Sequence, residues 1–148
     1  MSLLENDAQI AELLKGTQRI AVLGIKTQAQ SGQPAYYVPE YLKRAGYELL
    51  PVPVYYPEAV EILGFKVYRT LSEIPGTIDL VDVFRRAADV PAHLPELLAT
   101  KPRAVWFQQG IRHDEAARAL SEAGILVVQD RCIMVEHRRL VRSAQAGG

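Results

Sequence analysis

Two patterns of apolar positions alternate along the chain: short continuous apolar runs, and segments whose apolar residues recur at helical spacing. The run at residues 20–23 is typical of a buried strand, and Gly24 ends it where a Cβ would obstruct a close approach of backbone. An eleven-residue loop leads into residues 36–45, whose apolar side chains share one helix face, and Gly46 follows as a C-cap. Strand, loop and helix form the first half of a βαβ unit.

The rest of the chain repeats this alternation. Strands are predicted at residues 19–23, 47–52 (ended by Pro51 and Pro53), 65–68, 78–84, 104–108 and 125–128. Helices are predicted at residues 6–15, 36–45, 90–100, 113 or 114 to 123, and 132–140, with helical turns at 58–63 and 71–74. This order predicts an α/β, Rossmann-like, doubly wound fold: a mostly parallel sheet of five to six strands with helices on both faces.

Length and charge narrow the class of protein. The 148 residues predict a single domain over residues 1–142 and a disordered tail at 143–148. Lys plus Arg and Asp plus Glu are both 17, so no overall field would draw the protein to nucleic acid or an anionic membrane. The single cysteine, the lack of a signal-peptide pattern and the lack of a long apolar run predict a soluble, cytoplasmic protein.

The loop after Gly24 is the predicted ligand site. Its amides and the following helix N-terminus favour an anionic phosphate, although the fingerprint GxGxxG is absent; alternatively, Gly24 and Gly32 are ordinary turn glycines. Arg85 and Arg86 follow the strand at 78–84, at the carboxyl edge of a parallel sheet, where ligands bind. A solvated loop is the alternative interpretation of these arginines.

Catalytic chemistry has no clear candidate in the sequence. A dinucleotide-dependent oxidoreductase usually places an acid at the end of the second strand, but residues 51–54 are apolar and Glu48 lies near the strand's start. Three histidines and one cysteine are too few and too scattered for a metal site. The segment around Cys132, with Glu136 and His137 one turn on, could activate a thiol; a structural salt-bridge and capping role is favoured, because buried cysteines are usually inert.

Six segments together carry a family resemblance: IAVLG, GQPAYYV, LKRAGYELLPV, VDVFRRAADVP, VWFQQGI and VVQDRCIMVEH. They resemble the small stand-alone CoA-binding proteins, whose fold is similar to the N-terminal domain of the succinyl-CoA synthetase alpha subunit. The resemblance covers about residues 8 to 140, and its most specific pieces are VDVFR, QxGI and DRCxxxEH. It implies that the chain binds coenzyme A or an acyl-CoA.

The resemblance also implies a set of ligand-binding residues. Gly24, Ile25, Lys26 and Thr27 would begin the loop that holds the CoA diphosphate, and Ala35, Tyr36 and Val38 would open the helix beneath it. Val52 and Pro53 would flank the adenosine end; Phe84 and Arg85 would line the cleft; Gln108, Gln109 and Gly110 would form a third contact segment.

The chain departs from the family pattern at two places. It has Gln33-Pro34-Ala35 where Arg-Pro-Ser is common, and residues 51–54 read PVPV rather than PVNP, so two polar contacts are lost. The synthetase's phosphorylated histidine domain and partner subunit do not fit in 148 residues. The resemblance therefore implies CoA binding without acyl-transfer chemistry and leaves the protein partner undetermined. An interaction domain with a vestigial cleft is a further alternative.

Overall fold

The computed structural model describes residues 3–142 and contains a five-stranded parallel sheet with the strand order β2-β1-β5-β6-β7. The strands are β1 (Arg19–Leu23), β2 (Glu48–Val52), β3 (Glu61–Ile62), β4 (Phe65–Lys66), β5 (Leu80–Val83), β6 (Ala104–Phe107) and β7 (Leu126–Val128). The helices are α1 (Asp7–Gly16), α2 (Pro34–Arg44), α3 (Val90–Thr100), α4 (Asp114–Glu122) and α5 (Ile133–His137), which continues as a π-helical segment, Arg138–Arg142. The predicted doubly wound α/β fold is confirmed.

Two hydrophobic cores cover the two faces of the sheet. Ile20 and Val22 of β1 pack with α1, α2 and α5, whereas Ala21 and Leu23 pack with α3 and α4. Every second residue of a strand points to the same face, so a strand covered on both faces must be apolar throughout. This requirement explains the continuous apolar runs in the sequence.

The order in which strands are added to the sheet reverses at β1, because β2 lies on one side of β1 and the later strands lie on the other. The crossover through α2 leads to β2 on one side, and the chain then returns past β1 to β5 on the other side. In open parallel sheets, ligands bind outside the carboxyl ends of the strands at such a switch point. A ligand site is therefore expected at the loops that follow β1 and β5.

The helical turn predicted at residues 58–63 is wrong, because this stretch enters an antiparallel hairpin of β3 and β4. Leu63 and Gly64 form its two-residue turn with φ of 56° and 84°, as a type I′ turn requires. A leucine rarely takes positive φ, so the sequence gives little sign of this turn. Pro51 lies inside β2 instead of ending it, which is tolerated because β2 is an edge strand.

Asp82 in β5 is an acid within a hydrophobic core. It is fully buried, in register with Val22 and Trp106 of the neighbouring strands. Neither carboxylate oxygen has a hydrogen-bond partner, and burial raises the pKa of Asp82 well above its ordinary value. The side chain is therefore a polar group whose burial is uncompensated.

No helix within residues 3–142 is long and apolar enough to cross a membrane. The tail predicted at 143–148 lies outside the described residues.

Candidate functional site

A cavity of about 530 Å³ opens at the carboxyl edge of the sheet. The loop after β1, the first turn of α2 and the loops after β5, β6 and β7 form its walls. Its lining residues are Lys26, Gln33, Pro34, Ala35, Tyr37, Phe84, Arg85, Arg86, Ala87, Gln108, Gln109, Gly110, Ile111 and Cys132. Elements that are distant in sequence thus meet where the switch point predicts a ligand.

The N-terminus of α2 opens into this cavity without a side-chain cap. Gln33 is the N-cap residue, but its side chain makes no capping bond and instead accepts a hydrogen bond from Lys26 Nζ. Pro34 occupies the first turn, and the Lys26 amide donates to the Ala35 carbonyl at 3.1 Å, which ties the loop to the helix. The positive helix end and the Lys26 ammonium together make a site for an anion.

Arg85 lies in the opposite wall and is held on several sides. Its Nε donates to His93 Nε2 at 3.2 Å, and its Nη2 lies 3.6 Å from a carboxylate oxygen of Asp89. The guanidinium carbon also lies 5.8 Å from the ring centroid of Tyr55. Burial, and after it the charge of Arg85, lower the pKa of His93, which favours the neutral ring that can accept this bond. The Arg85 side chain is therefore positioned before any ligand binds.

Gly24 is required by the protein's own backbone. Its φ is +89°, and a Cβ at this position would lie 2.4 Å from the Phe84 carbonyl oxygen. Its amide donates to the Val52 carbonyl at 2.9 Å. The close approach inferred from the sequence is thus one between the ends of β1 and β5, and Phe84 on the β5 side lines the cavity.

The structure divides the sequence-predicted residues into three groups. Seven line the cavity: Lys26, Ala35, Phe84, Arg85, Gln108, Gln109 and Gly110. Val52 and Pro53 line a smaller cavity of about 300 Å³, beside the end of β2, together with Arg69, His93 and Glu96. The remaining five, Gly24, Ile25, Thr27, Tyr36 and Val38, line neither of these two cavities.

The five residues outside the cavities shape the loop and the helix. Ile25 and Val38 are fully buried in the core, so their side chains pack against protein, and Tyr36 is nearly buried. The Thr27 hydroxyl and amide donate to the Gln30 side chain at 2.7 and 3.1 Å. These contacts hold the loop between β1 and α2 in place.

The polar neighbours of Cys132 make structural contacts. Asp130 accepts a hydrogen bond from the Gly110 amide at 2.7 Å, and Arg131 pairs with Glu136 at 3.5 Å. His137 is hydrogen-bonded to the Tyr41 hydroxyl at 2.8 Å. Cys132 itself is half-buried and lines the cavity. The geometry therefore supports a structural role for its polar neighbours and leaves the thiol at the cavity wall.

Seven wall residues lie outside the set that the resemblance implied, although the sequence had placed Arg86 at the ligand edge with Arg85: Gln33, Pro34, Tyr37, Arg86, Ala87, Ile111 and Cys132. Most of them follow the carboxyl end of a strand, and Tyr37 lies in the first turn of α2. The shared carboxyl edge of a parallel sheet is the signal that could have identified them. The contacts of Tyr55 and His93 with Arg85 have no comparable signal.

The chain matches a known family and several relatives. A family model described as a CoA binding domain matches residues 18–138. The chain is 39% identical to the uncharacterized protein YneT of Bacillus subtilis (strain 168) over 130 residues, which cover 88% of this chain and 93% of YneT. The chain belongs to this family of CoA-binding domains, which confirms the resemblance to small stand-alone CoA-binding proteins.

Solved structures agree with this assignment. A protein from Thermus thermophilus, cell-free ID.343, is 44% identical with a TM-score of 0.84, covering 92% of this chain and 99% of that chain. A hypothetical protein from Pyrococcus horikoshii OT3 is 32% identical with a TM-score of 0.82, covering 93% of each chain. The similarity thus extends over nearly the whole length of both proteins.

Proposed function

We propose that the protein binds coenzyme A, free or acylated, in the carboxyl-edge cavity, and that it carries out no acyl transfer of its own. The observation that carries this proposal is the uncapped N-terminus of α2, which opens into the cavity beside Lys26. The CoA diphosphate is an anion of the kind that helix N-termini bind. Family membership supports CoA as the ligand.

The two cavities suggest how the ligand is oriented. The diphosphate lies at the first turn of α2, within reach of Lys26 and of Arg85 in the opposite wall. The adenosine end extends toward Val52 and Pro53 in the smaller cavity. The pantetheine arm then runs the other way, along Gln108, Gln109 and Gly110 after β6. Gly24, Ile25, Thr27, Tyr36 and Val38 contribute by holding the loop and helix in shape.

The smaller cavity argues against a dinucleotide-dependent oxidoreductase. Among the residues that line the two cavities, Glu96 is the carboxylate, and its Oε1 already accepts a hydrogen bond from the Leu71 amide at 2.9 Å. The end of β2 is apolar at Val52 and Pro53. The end of β2, where a ribose-binding acid usually lies, therefore carries no carboxylate for the ribose hydroxyls of NAD.

The contacts of the cavity residues also favour binding over catalysis. A general base needs a free acceptor within hydrogen-bond reach of substrate. His93 Nε2 accepts from Arg85, so the acceptor nitrogen of the neutral ring is occupied, and Glu96 is bound to the Leu71 amide through Oε1. These contacts are consistent with a role as a carrier of CoA or as a regulatory module that binds CoA.

Calorimetric titration of the protein with reduced CoA tests this proposal. Replacing Lys26 with Ala should weaken binding by about 1 to 3 kcal/mol, because a charge-assisted contact to the diphosphate is lost. Arg112→Ala is the matched control, since Arg112 is an exposed cation outside the cavity, paired with Asp114 at 3.1 Å. Equal affinities of the Lys26 variant and the wild type would reject the diphosphate position, and no heat of binding in the wild type would reject the function.

A further inference from the structure

Cys132 lies where the thiol end of a bound CoA would arrive. It follows β7 and lines the same cavity as Lys26 and Ala35, which follow β1. Three strand spacings separate β1 from β7, a distance of about 14 Å. The pantetheine arm has the bond count of about four peptide residues and spans roughly 13 to 14 Å when extended. An arm anchored at the α2 N-terminus therefore reaches Cys132.

Gln108 presents a hydrogen-bond donor to this part of the cavity. It is only 4% exposed, and its Oε1 accepts a hydrogen bond from the Ile133 amide at 3.1 Å. Within residues 3–142, its side-chain NH2 group donates to no protein acceptor and is not sealed in the interior, so it faces the cavity. Water can reach this donor when the cavity is empty, and an amide carbonyl of the pantetheine arm is an acceptor that can take the place of that water.

We infer that Cys132 is a modification site at which bound CoA disulfide exchanges with the protein, leaving one CoA attached to the cysteine as a mixed disulfide. The inference rests on the proposed function, because the cavity must first hold the CoA nucleotide. The cavity favours this disulfide over others, since binding one CoA half brings its sulfur to Cys132 at a high effective concentration.

The step balances without a further oxidant. The Cys132 thiol loses its proton to solvent, and the thiolate attacks the sulfur of the bound CoA half. The new Sγ–S bond forms as the S–S bond of CoA disulfide breaks, and the departing CoA thiolate takes up a proton. Cys132 is oxidised and the departing CoA is reduced. The chain has one cysteine, so release of the attached CoA requires an external thiol.

Intact-mass spectrometry of the reduced protein, incubated with CoA disulfide at about pH 8, tests this inference, because thiolate attack is the reactive step. The expected product gains the mass of one CoA less two hydrogen atoms. Glutathione disulfide at the same concentration should react at least about tenfold more slowly, because it lacks the nucleotide anchor. Excess S-methyl-CoA, a thioether that cannot exchange, should slow adduct formation by occupying the cavity.

The controls separate this inference from the function on which it rests. Calorimetry with reduced CoA measures binding alone. If CoA binds but no adduct forms, the inference is overturned and the proposed function stands. Equal rates with glutathione disulfide, or no protection by S-methyl-CoA, would show an ordinary exposed thiol and would also overturn the inference. Absence of CoA binding would reject both.

Discussion

Replacing Asp82 with Asn should raise the stability relative to the wild type progressively as the pH rises. Asp82 is fully buried with no partner for either oxygen, and burial raises the pKa of its carboxyl well above 3.8. The native state therefore keeps a proton that the unfolded chain releases as the pH rises above the ordinary value. By linkage, the wild type loses stability with rising pH, at about 1.4 kcal/mol per pH unit, for as long as this difference persists.

The Asn side chain has the same shape and does not titrate, so its contribution to stability stays constant with pH. The variant's unfolding free energy relative to the wild type should thus rise with pH above about 4, by up to about 1.4 kcal/mol per pH unit while the native carboxyl stays protonated. Urea unfolding of both proteins at several pH values measures it. All other groups titrate alike in the two proteins, so their contributions cancel in the difference between the two unfolding free energies.

Asp79→Asn is the matched control, because Asp79 immediately precedes β5, the strand that contains Asp82. Asp79 Oδ2 accepts hydrogen bonds from the amides of Gln18 and Arg19 at 3.0 and 2.9 Å, so its carboxylate is satisfied. Its replacement should not stabilise the protein at any of these pH values. An advantage of Asp82→Asn that stays constant across the pH range would refute the reasoning, because the carboxyl would then carry the same charge in both states.

Three further predictions follow from single contacts. Gly24→Ala should destabilise the fold by about 1 to 3 kcal/mol in urea unfolding, because its Cβ would meet the Phe84 carbonyl, whereas Gly32→Ala meets nothing within 4 Å and should be nearly neutral. Arg85→Ala should weaken CoA binding by about 1 to 3 kcal/mol in calorimetry, and unchanged affinity would exclude a phosphate contact. His93, whose pKa is lowered, resists protonation in the native state, so stability should fall as the pH drops below about 6.5. His93→Gln should flatten this dependence by a fraction of about 1.4 kcal/mol per pH unit, and an unchanged slope would contradict it.

Much of the fold could be predicted because the local pattern of apolar residues matches the burial that the tertiary structure requires. The bounds of β1 and α3 were predicted as the structure has them, since a doubly buried strand must be apolar throughout and Pro91 fits the first turn of α3, although Pro95 lies inside the helix. The β3–β4 hairpin was missed because Leu63 adopts positive φ only in its tertiary setting. The cytoplasmic location stays a prediction.

For the candidate site, the sequence indicates which edge of the sheet carries the cavity, but not which individual residues line it. The carboxyl edge of the sheet follows from the βαβ pattern alone, and Lys26 and Arg85 both lie there. The role of Gly24 could not be predicted, because its neighbour Phe84 is sixty residues away in sequence. Ile25 and Val38 could not be separated from ligand-facing positions either, since burial depends on how α2 packs.

The central claim, CoA binding, is tested most directly by ranking ligands in a thermal unfolding experiment. A ligand that binds only the native state at a hundredfold excess over Kd stabilises it by about 2.7 kcal/mol. For a domain of this size, the midpoint should then rise by roughly 5 to 10 °C. CoA should give this shift, dephospho-CoA a smaller one if Arg69 in the smaller cavity binds the 3′-phosphate, and NAD and NADP little at the same concentration. A larger shift with NAD than with CoA would contradict the account.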